Sequence, residues 1–397
     1  MRTGVAVLVL LAGVGVVRGQ PVFLPVCEGP YFLTAGDLNG DGVDDPLTVC
    51  RGELRMPADP RPGNDRITVY FSEPGGVRRR QDFRVGFGPY TAAIADLDGD
   101  GRQDVAVVNF QDARRHLSLL WGPPTDTVHL EVAGAFRYDK NRNERGEAIY
   151  PAPGLTSLVI RDFDGDGKPD IAAVAWSSDF FVLFRNQGNR RFRQIRYALP
   201  PGPRDVVAAD FNRDGRLDLA FTIYSSNLVD VWLGDGKGGF RLDQRFHAQG
   251  HIPYHLKAGD LDGDGWLELV VGNRGPSDNV AVFHNRGGRF RFAGSFRPGT
   301  PKQGEATADE IRDVLLTDAD GDGKLDLAAA CHVSHKVVLW RGTGDLAFGA
   351  AFRDRRVLEF PGKGPRALHP LGGGIGVAFY RSSEFAVLRW KDFETAP

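Results

Sequence analysis

One nine-residue pattern, D-x-[DN]-x-D-G-x-x-[DE], occurs six times, beginning at Asp37, Asp96, Asp162, Asp210, Asp260 and Asp318. Each copy crowds three or four acidic side chains together, which is costly unless a cation neutralises them. Oxygen donors at alternate positions suit a hard divalent cation, and Ca²⁺ takes about six to eight of them. Positions 1, 3, 5 and 9 offer side-chain oxygens and position 7 a backbone carbonyl. The glycine at position 6 allows the chain to turn sharply around the ion.

The predicted donors of the first three loops are Asp37, Asn39, Asp41, Val43 and Asp45; Asp96, Asp98, Asp100, Arg102 and Asp104; and Asp162, Asp164, Asp166, Lys168 and Asp170. Those of the last three are Asp210, Asn212, Asp214, Arg216 and Asp218; Asp260, Asp262, Asp264, Trp266 and Glu268; and Asp318, Asp320, Asp322, Lys324 and Asp326. An EF-hand would need a bidentate Glu at position 12. Here that position holds Thr48, Val107, Ala173, Phe221, Val271 and Ala329. Positions 10 and 12 are mostly apolar, so a strand leaves the loop rather than a helix. Six near-identical, self-contained loops point to structural rather than catalytic metal, because a catalytic ion keeps a position open.

Successive loops begin 48 to 66 residues apart. Around each lies the same order: an apolar strand, the loop, a second strand, a third ending in an aromatic, a Gly-rich turn and a fourth strand bearing Phe. Four antiparallel strands per repeat make a propeller blade. The third-strand aromatics Tyr70, Trp121, Phe184, Trp232, Phe283, Trp340 and, one residue out of register, Trp390 count seven units, and they read as inter-blade core. The seventh has Pro370-Leu371-Gly372-Gly373-Gly374 where the others carry acids. It also lacks a good fourth strand, and Val22–Val26 is expected to supply one and seal the ring. The predicted fold is thus all-β, a seven-bladed β-propeller with calcium-binding loops in six blades.

The six loops, with turns such as Gly238-Gly239-Phe240 and Gly287-Gly288-Arg289-Phe290, resemble the FG-GAP/VCBS repeat family, whose propeller also occurs in integrin α-subunit heads. The resemblance covers essentially all of residues 20–397. It implies a calcium-stabilised propeller with metal loops on one face and ligands bound on the other. It fixes no activity, since such repeats serve in adhesion, in lectins and as accessory domains of enzymes.

The formal charge of −2 conceals an asymmetry, because 22 of the 51 acidic residues sit at loop donor positions against 49 Lys and Arg over the chain. With the loops filled, the rest of the surface is positive and favours anionic partners. The arginines are dispersed, with a run only at Arg78–Arg80, which argues against nucleic acid. Residues 1–19 read as a secretory signal, with Arg2 before the apolar Val5–Val17, and an uncleaved N-terminal anchor is the alternative. No other segment is apolar enough to span a bilayer. The expected location is therefore secreted or extracytoplasmic, at the cell surface or in the periplasm. In such a compartment Cys27 and Cys50 can pair, leaving Cys331 as a buried thiol.

Six residues before the loops stand Tyr31, Tyr90, Thr156, Arg204, Tyr254 and Arg312, with Arg366 as the seventh by register. They fall where the innermost strands begin, on the face away from the loops. Tyr90, Arg204, Tyr254 and Arg312 are the candidate ligand contacts, with pairing to Asp205 and Asp313 as the structural alternative. Asn109, Trp176, Tyr224, Arg274, His332 and His335 are expected on the same face. The function expected is a monomeric ligand-binding or adhesion module for a glycan or an extracellular protein, with no catalytic residue assigned. The alternative is a calcium-dependent hydrolase or lyase on an anionic polymer, using His251, His255 or His332 in acid–base roles.

Overall fold

The computed structural model describes residues 21–52, 64–73, 76–122, 126–134, 153–275, 277–299 and 309–394. The predicted signal segment lies outside the described residues. Twenty-eight strands among them form seven four-stranded antiparallel sheets. Blade four shows the plan: Pro203–Ala209, Asp218–Ile223, Leu228–Gly234 and Phe240–His247, hydrogen-bonded in that order.

The first strand of each blade is the innermost. Pro30–Gly36, Pro89–Ala95, Leu155–Arg161, Pro203–Ala209, Pro253–Gly259, Ile311–Thr317 and Pro365–Leu371 touch one another in sequence, and the last touches the first. They line a central channel. The second strands are buried on both faces throughout blades one to six, and they read as unbroken apolar or small-residue runs rather than alternating ones. The core lies between blades: Leu47, Val49, Ile67 and Val69 of blade one pack with Val105, Val107 and Leu120 of blade two.

The seventh sheet closes as expected. Phe23–Pro25 pairs antiparallel with Glu384–Leu388, aligning Phe23 with Ala386 and Pro25 with Glu384. A disulfide then joins Cys27 to Cys50 at the end of blade one's second strand, with Cα atoms 5.7 Å apart. Cys331 is a buried free thiol. Where the other blades carry acids, blade seven turns in two residues. Leu371 pairs with Gly374 across Gly372 and Gly373, whose φ values of 56° and 72° give the turn that matches strand twist.

The aromatic count needs one correction. Phe184, Trp232, Phe283 and Trp340 face the residue leaving each loop and Tyr70 keeps the same register, whereas Trp121 stands one residue further on. In blade seven Leu388 takes that position opposite Ile375. Trp390 begins the short helix Trp390–Glu394, where Asp392 accepts a hydrogen bond from the Arg389 amide at 2.6 Å.

Candidate ligand face and acidic loops

All six loops fold alike. The position-1 carboxylate accepts backbone N–H groups across the turn, as Asp162 does from Gly165 and Gly167 at 2.8 Å each. Gly167 and its equivalents have φ of 80–85°, which an L side chain adopts only at a cost. Position 9 is buried and faces inward. Asp218 accepts the Phe211 and Gly234 amides at 3.0 and 2.9 Å, tying the loop to the third strand. Burial pushes the carboxyls of Asp45, Asp170 and Asp218 up to about 6 and that of Glu268 up to about 7, with neighbouring loop acids adding to the rise against these N–H bonds.

In four loops the carboxylates of positions 1, 3 and 9 converge, with oxygens within 4.8 Å of one another: Asp96, Asp98 and Asp104; Asp162, Asp164 and Asp170; Asp260, Asp262 and Glu268; Asp318, Asp320 and Asp326. These donors fit a hard cation. The other two loops have an amide at position 3. Asn39 and Asn212 donate to Asp41 and Asp214, at 3.3 and 2.9 Å.

Where position 3 is Asp, a basic side chain meets it. Arg190 lies 2.7 Å from Asp98, Arg185 pairs with Asp164, His284 lies 3.6 Å from Asp262 and Arg341 pairs with Asp320. Sequence reasoning missed these partners. Their signal is a basic residue directly after the third-strand aromatic, at Arg185, His284 and Arg341. His284 also joins Asp262 and Asp264 as a third group able to hold a metal.

At the other end of the inner strands, every blade has a β-bulge at its second residue. The register skips between Pro30 and Phe32, Pro89 and Thr91, Leu155 and Ser157, Pro203 and Asp205, Pro253 and His255, Ile311 and Asp313, and Pro365 and Ala367. The bulged residues are Tyr31, Tyr90, Thr156, Arg204, Tyr254, Arg312 and Arg366. A bulge re-aims its side chain, and the tyrosines and arginines of this set meet over the channel. The hydroxyl of Tyr31 lies 2.5 Å from that of Tyr254 and is hydrogen-bonded to that of Tyr90. Tyr90 and Tyr254 hydroxyls are 3.0 Å apart. Arg204 donates to Tyr31 and Tyr90, and Arg366 donates to Tyr254 at 3.0 Å. Arg366 also stacks 3.6 Å from the Tyr31 ring centre, and Arg204 4.0 Å from that of Tyr254.

Burial opposes ionisation of all three phenols. In Tyr254 it is outweighed by Arg204, Arg366 and Arg312, which hold the phenol well below its ordinary value. In Tyr31 it is outweighed by Arg366, Arg51 and Arg204, and the phenol is lowered. In Tyr90 burial wins and the phenol is raised.

A second ring stands outside the first. It is made by the residue after each second strand: Arg51, Phe110, Trp176, Tyr224, Arg274, His332 and Tyr380. Blades two to seven pin it alike, since the amides of Phe110, Trp176, Tyr224, Arg274, His332 and Tyr380 donate to the carbonyls of Gly88, Gly154, Gly202, Ile252, Glu310 and Gly364. Sequence reasoning found four of these. It missed Arg51 and Tyr380, and it took Asn109 for Phe110, although the first six all stand fourteen residues after the loop's first Asp. Asn109 instead ties Arg115 and Ser118. The two rings enclose a cavity of about 170 Å³, lined by Tyr31, Arg51, Tyr90, Phe110, Trp176, Arg204, Tyr224, Tyr254, Arg274 and Arg312.

The arginines do not pair with Asp205 and Asp313. Those carboxylates lie one residue deeper and flank His255, whose Nδ1 is 3.5 and 3.4 Å from them. Asp205 also accepts Ser157 Oγ at 2.6 Å and the Leu256 amide at 2.9 Å. Burial would raise its carboxyl, but His255 and Lys257 hold it well below the usual range. The three candidate acid–base histidines stay apart. His255 is in the channel, His332 is in the outer ring with its imidazole lowered to about 4, first by burial and then by Arg366 and Arg312, and His251 is exposed beside Asn227.

Fold and site together define a class: a seven-bladed β-propeller with acidic hairpin loops on one face and an aromatic–arginine pocket on the other. Residues 162–221, 210–271 and 260–329 match the FG-GAP-like repeat family, so the chain carries FG-GAP-like repeats. Each match runs from one loop into the strand leaving the next. The chain is similar to integrin alpha-4 of Xenopus laevis, with 26% identity over 176 residues, 40% of this chain and 16% of that protein. Integrin alpha-5 of the same organism is 26% identical over 170 residues, 40% of this chain and 15% of that protein. The chain thus spans about a sixth of these curated relatives' length. Among solved structures, the virginiamycin B lyase of Staphylococcus aureus with quinupristin superposes with a TM-score of 0.60 at 12% identity, over 93% of this chain and 99% of that one. The periplasmic gluconolactonase of Pseudomonas aeruginosa gives 0.51 at 20% identity, over 84% and 89%. These last two are likenesses of fold alone. Among the described residues no helix is long and apolar enough to cross a membrane.

Proposed function

We propose that the chain is an exported, calcium-stabilised propeller that acts as a monomeric binding or adhesion module, taking a glycan or a protein ligand in the two-ring pocket. The observation that carries this reading is the convergence of bulged inner-strand residues, in particular Tyr90, Arg204, Tyr254 and Arg312, on one cavity. Tyr and Arg anchor contacts because they combine large area with fixed hydrogen-bonding geometry. The loops supply the cation sites, with donors from positions 1, 3, 5, 7 and 9, and the ions hold the first two strands of six blades in register.

The test is a glycan and protein array probed with the protein in millimolar Ca²⁺, beside a Trp176→Ala/Arg274→Ala variant that melts at the same temperature. Both residues are only partly buried, so the variant should fold. A hit lost in the variant supports the reading, and a hit retained in it moves the site off this face. The second reading, a calcium-dependent hydrolase or lyase on an anionic polymer, draws on the lyase and lactonase among the fold neighbours. It predicts new reducing ends, unsaturated sugars or released phosphate on incubation, where a binder leaves its ligand unchanged.

A further inference from the structure

The two-ring pocket holds far more positive charge than it can neutralise from within. Arg51, Arg204, Arg274 and Arg312 line it, and Arg366 lies against its tyrosine floor. Glu310 is the one carboxylate among their hydrogen-bond and ion-pair partners in the described residues, and Arg274 and Arg312 share it. Arg51 is only 9% exposed. Its Nε and that of Arg312 are buried with no hydrogen-bond partner among the described residues. A buried cation with an unused donor is expensive, and a carboxylate is the group a guanidinium fork fits best.

The walls are of another kind. Phe110, Trp176 and Tyr224 form a continuous aromatic arc, with ring centres 5.9 and 6.0 Å apart. Below them lie three phenol hydroxyls able to donate or accept. The cavity of about 170 Å³ is smaller than the roughly 300–1,000 Å³ of a drug-sized site. It has room for a single sugar unit.

We infer that this pocket recognises an acidic sugar, a pyranose bearing a carboxylate. The carboxylate sits among the arginines, the ring's apolar face lies on the aromatic arc, and the hydroxyls reach the tyrosine floor. This rests on the ligand-face reading above and names the ligand class. The lowered phenols of Tyr31 and Tyr254 agree with it, since without a ligand they are the groups best placed to answer the excess charge.

The test is calorimetric titration of the full protein in millimolar Ca²⁺ with free glucuronate and galacturonate, against glucose, acetate and sulfate. Uronate should bind, with glucose and acetate at least roughly tenfold weaker, since each loses one half of the recognition. Arg51→Met and Arg312→Met should each weaken uronate by about tenfold or more at unchanged melting temperature. Bound uronate should shift the phenolate absorbance of the alkaline titration to higher pH, which a merely structural arginine would not do. If those variants fail to fold, protection of the wild-type arginines from phenylglyoxal by uronate, and not by glucose, serves instead.

Equal binding of glucose and uronate overturns the acidic-sugar inference but leaves the ligand face standing. So does an array hit at the rings with no uronate binding. Acetate or sulfate binding as tightly as uronate reduces the site to a plain anion hole and also overturns it. Uronate binding untouched by both variants, or unprotected arginines, puts the site elsewhere and removes both readings.

Discussion

Arg204 and Arg366 are buried guanidiniums whose hydrogen bonds go to phenol oxygens, so each tyrosine of the floor stabilises a charge as well as filling space. Tyr254→Phe keeps the ring and deletes the acceptor of Arg366. It should cost about 1–3 kcal/mol in denaturant unfolding, and a change near zero would mean that the network contributes nothing. His369 gives a second case. Burial, then Lys257, lowers its imidazole to about 4. A histidine kept neutral in the fold but free to protonate when unfolded takes up its proton on unfolding. Stability is therefore intact above about pH 6.5 and is lost as pH falls from there to about 4. His369→Gln should flatten that part of the stability–pH curve, measured at constant Ca²⁺. An unchanged acid limb would show that other groups, His332 first among them, carry it.

At the scale of the element, the acidic hairpin divides its carboxylates into two kinds. Position 9 accepts two backbone amides from inside the blade, whereas positions 3 and 5 meet basic side chains. Asp218→Ala should therefore destabilise by roughly 2–3 kcal/mol even in EDTA, because two buried N–H groups lose their acceptor. Asp214→Ala should destabilise only when calcium is present, and equal effects in EDTA would remove the distinction. The sequence makes much of this element legible: loop, following strand and bulged residue keep fixed spacing, and blade seven's Gly-Gly turn explains why its acids are missing. The basic partners are harder to see, since Arg190 reaches Asp98 from 92 residues away. So are the contacts of the floor, where Arg204 meets Tyr31 across 173 residues. Periodicity places such residues on a face; it does not say which of them touch. Trp390 misled the aromatic count because its spacing was nearly right while the chain had already turned into a helix.

For the whole molecule, six ions would move the formal charge from −2 to about +10, at two charges per bound Ca²⁺. Chelation should thus lower the melting temperature and reverse the direction of native electrophoretic migration near pH 7. A melt that ignores EDTA would remove calcium from the account. The disulfide acts at the same scale, by stapling the closing strand to blade one. Its reduction should cost about 2–4 kcal/mol, with amide exchange rising first in Phe23–Pro25 and Glu384–Leu388. Uniform exchange across all blades would show that the seam is no weaker than the rest. The seam has a further consequence during synthesis. Phe23–Pro25 has no native partner until the hairpin ending at Leu388 has been made, so the chain as far as Leu388 must emerge before the circle can lock. Until then the nascent protein offers two unpaired edges, and a neighbour's strand fits either as well as its own does. A short peptide with the sequence of residues 21–27, added from outside, should be able to occupy the gap.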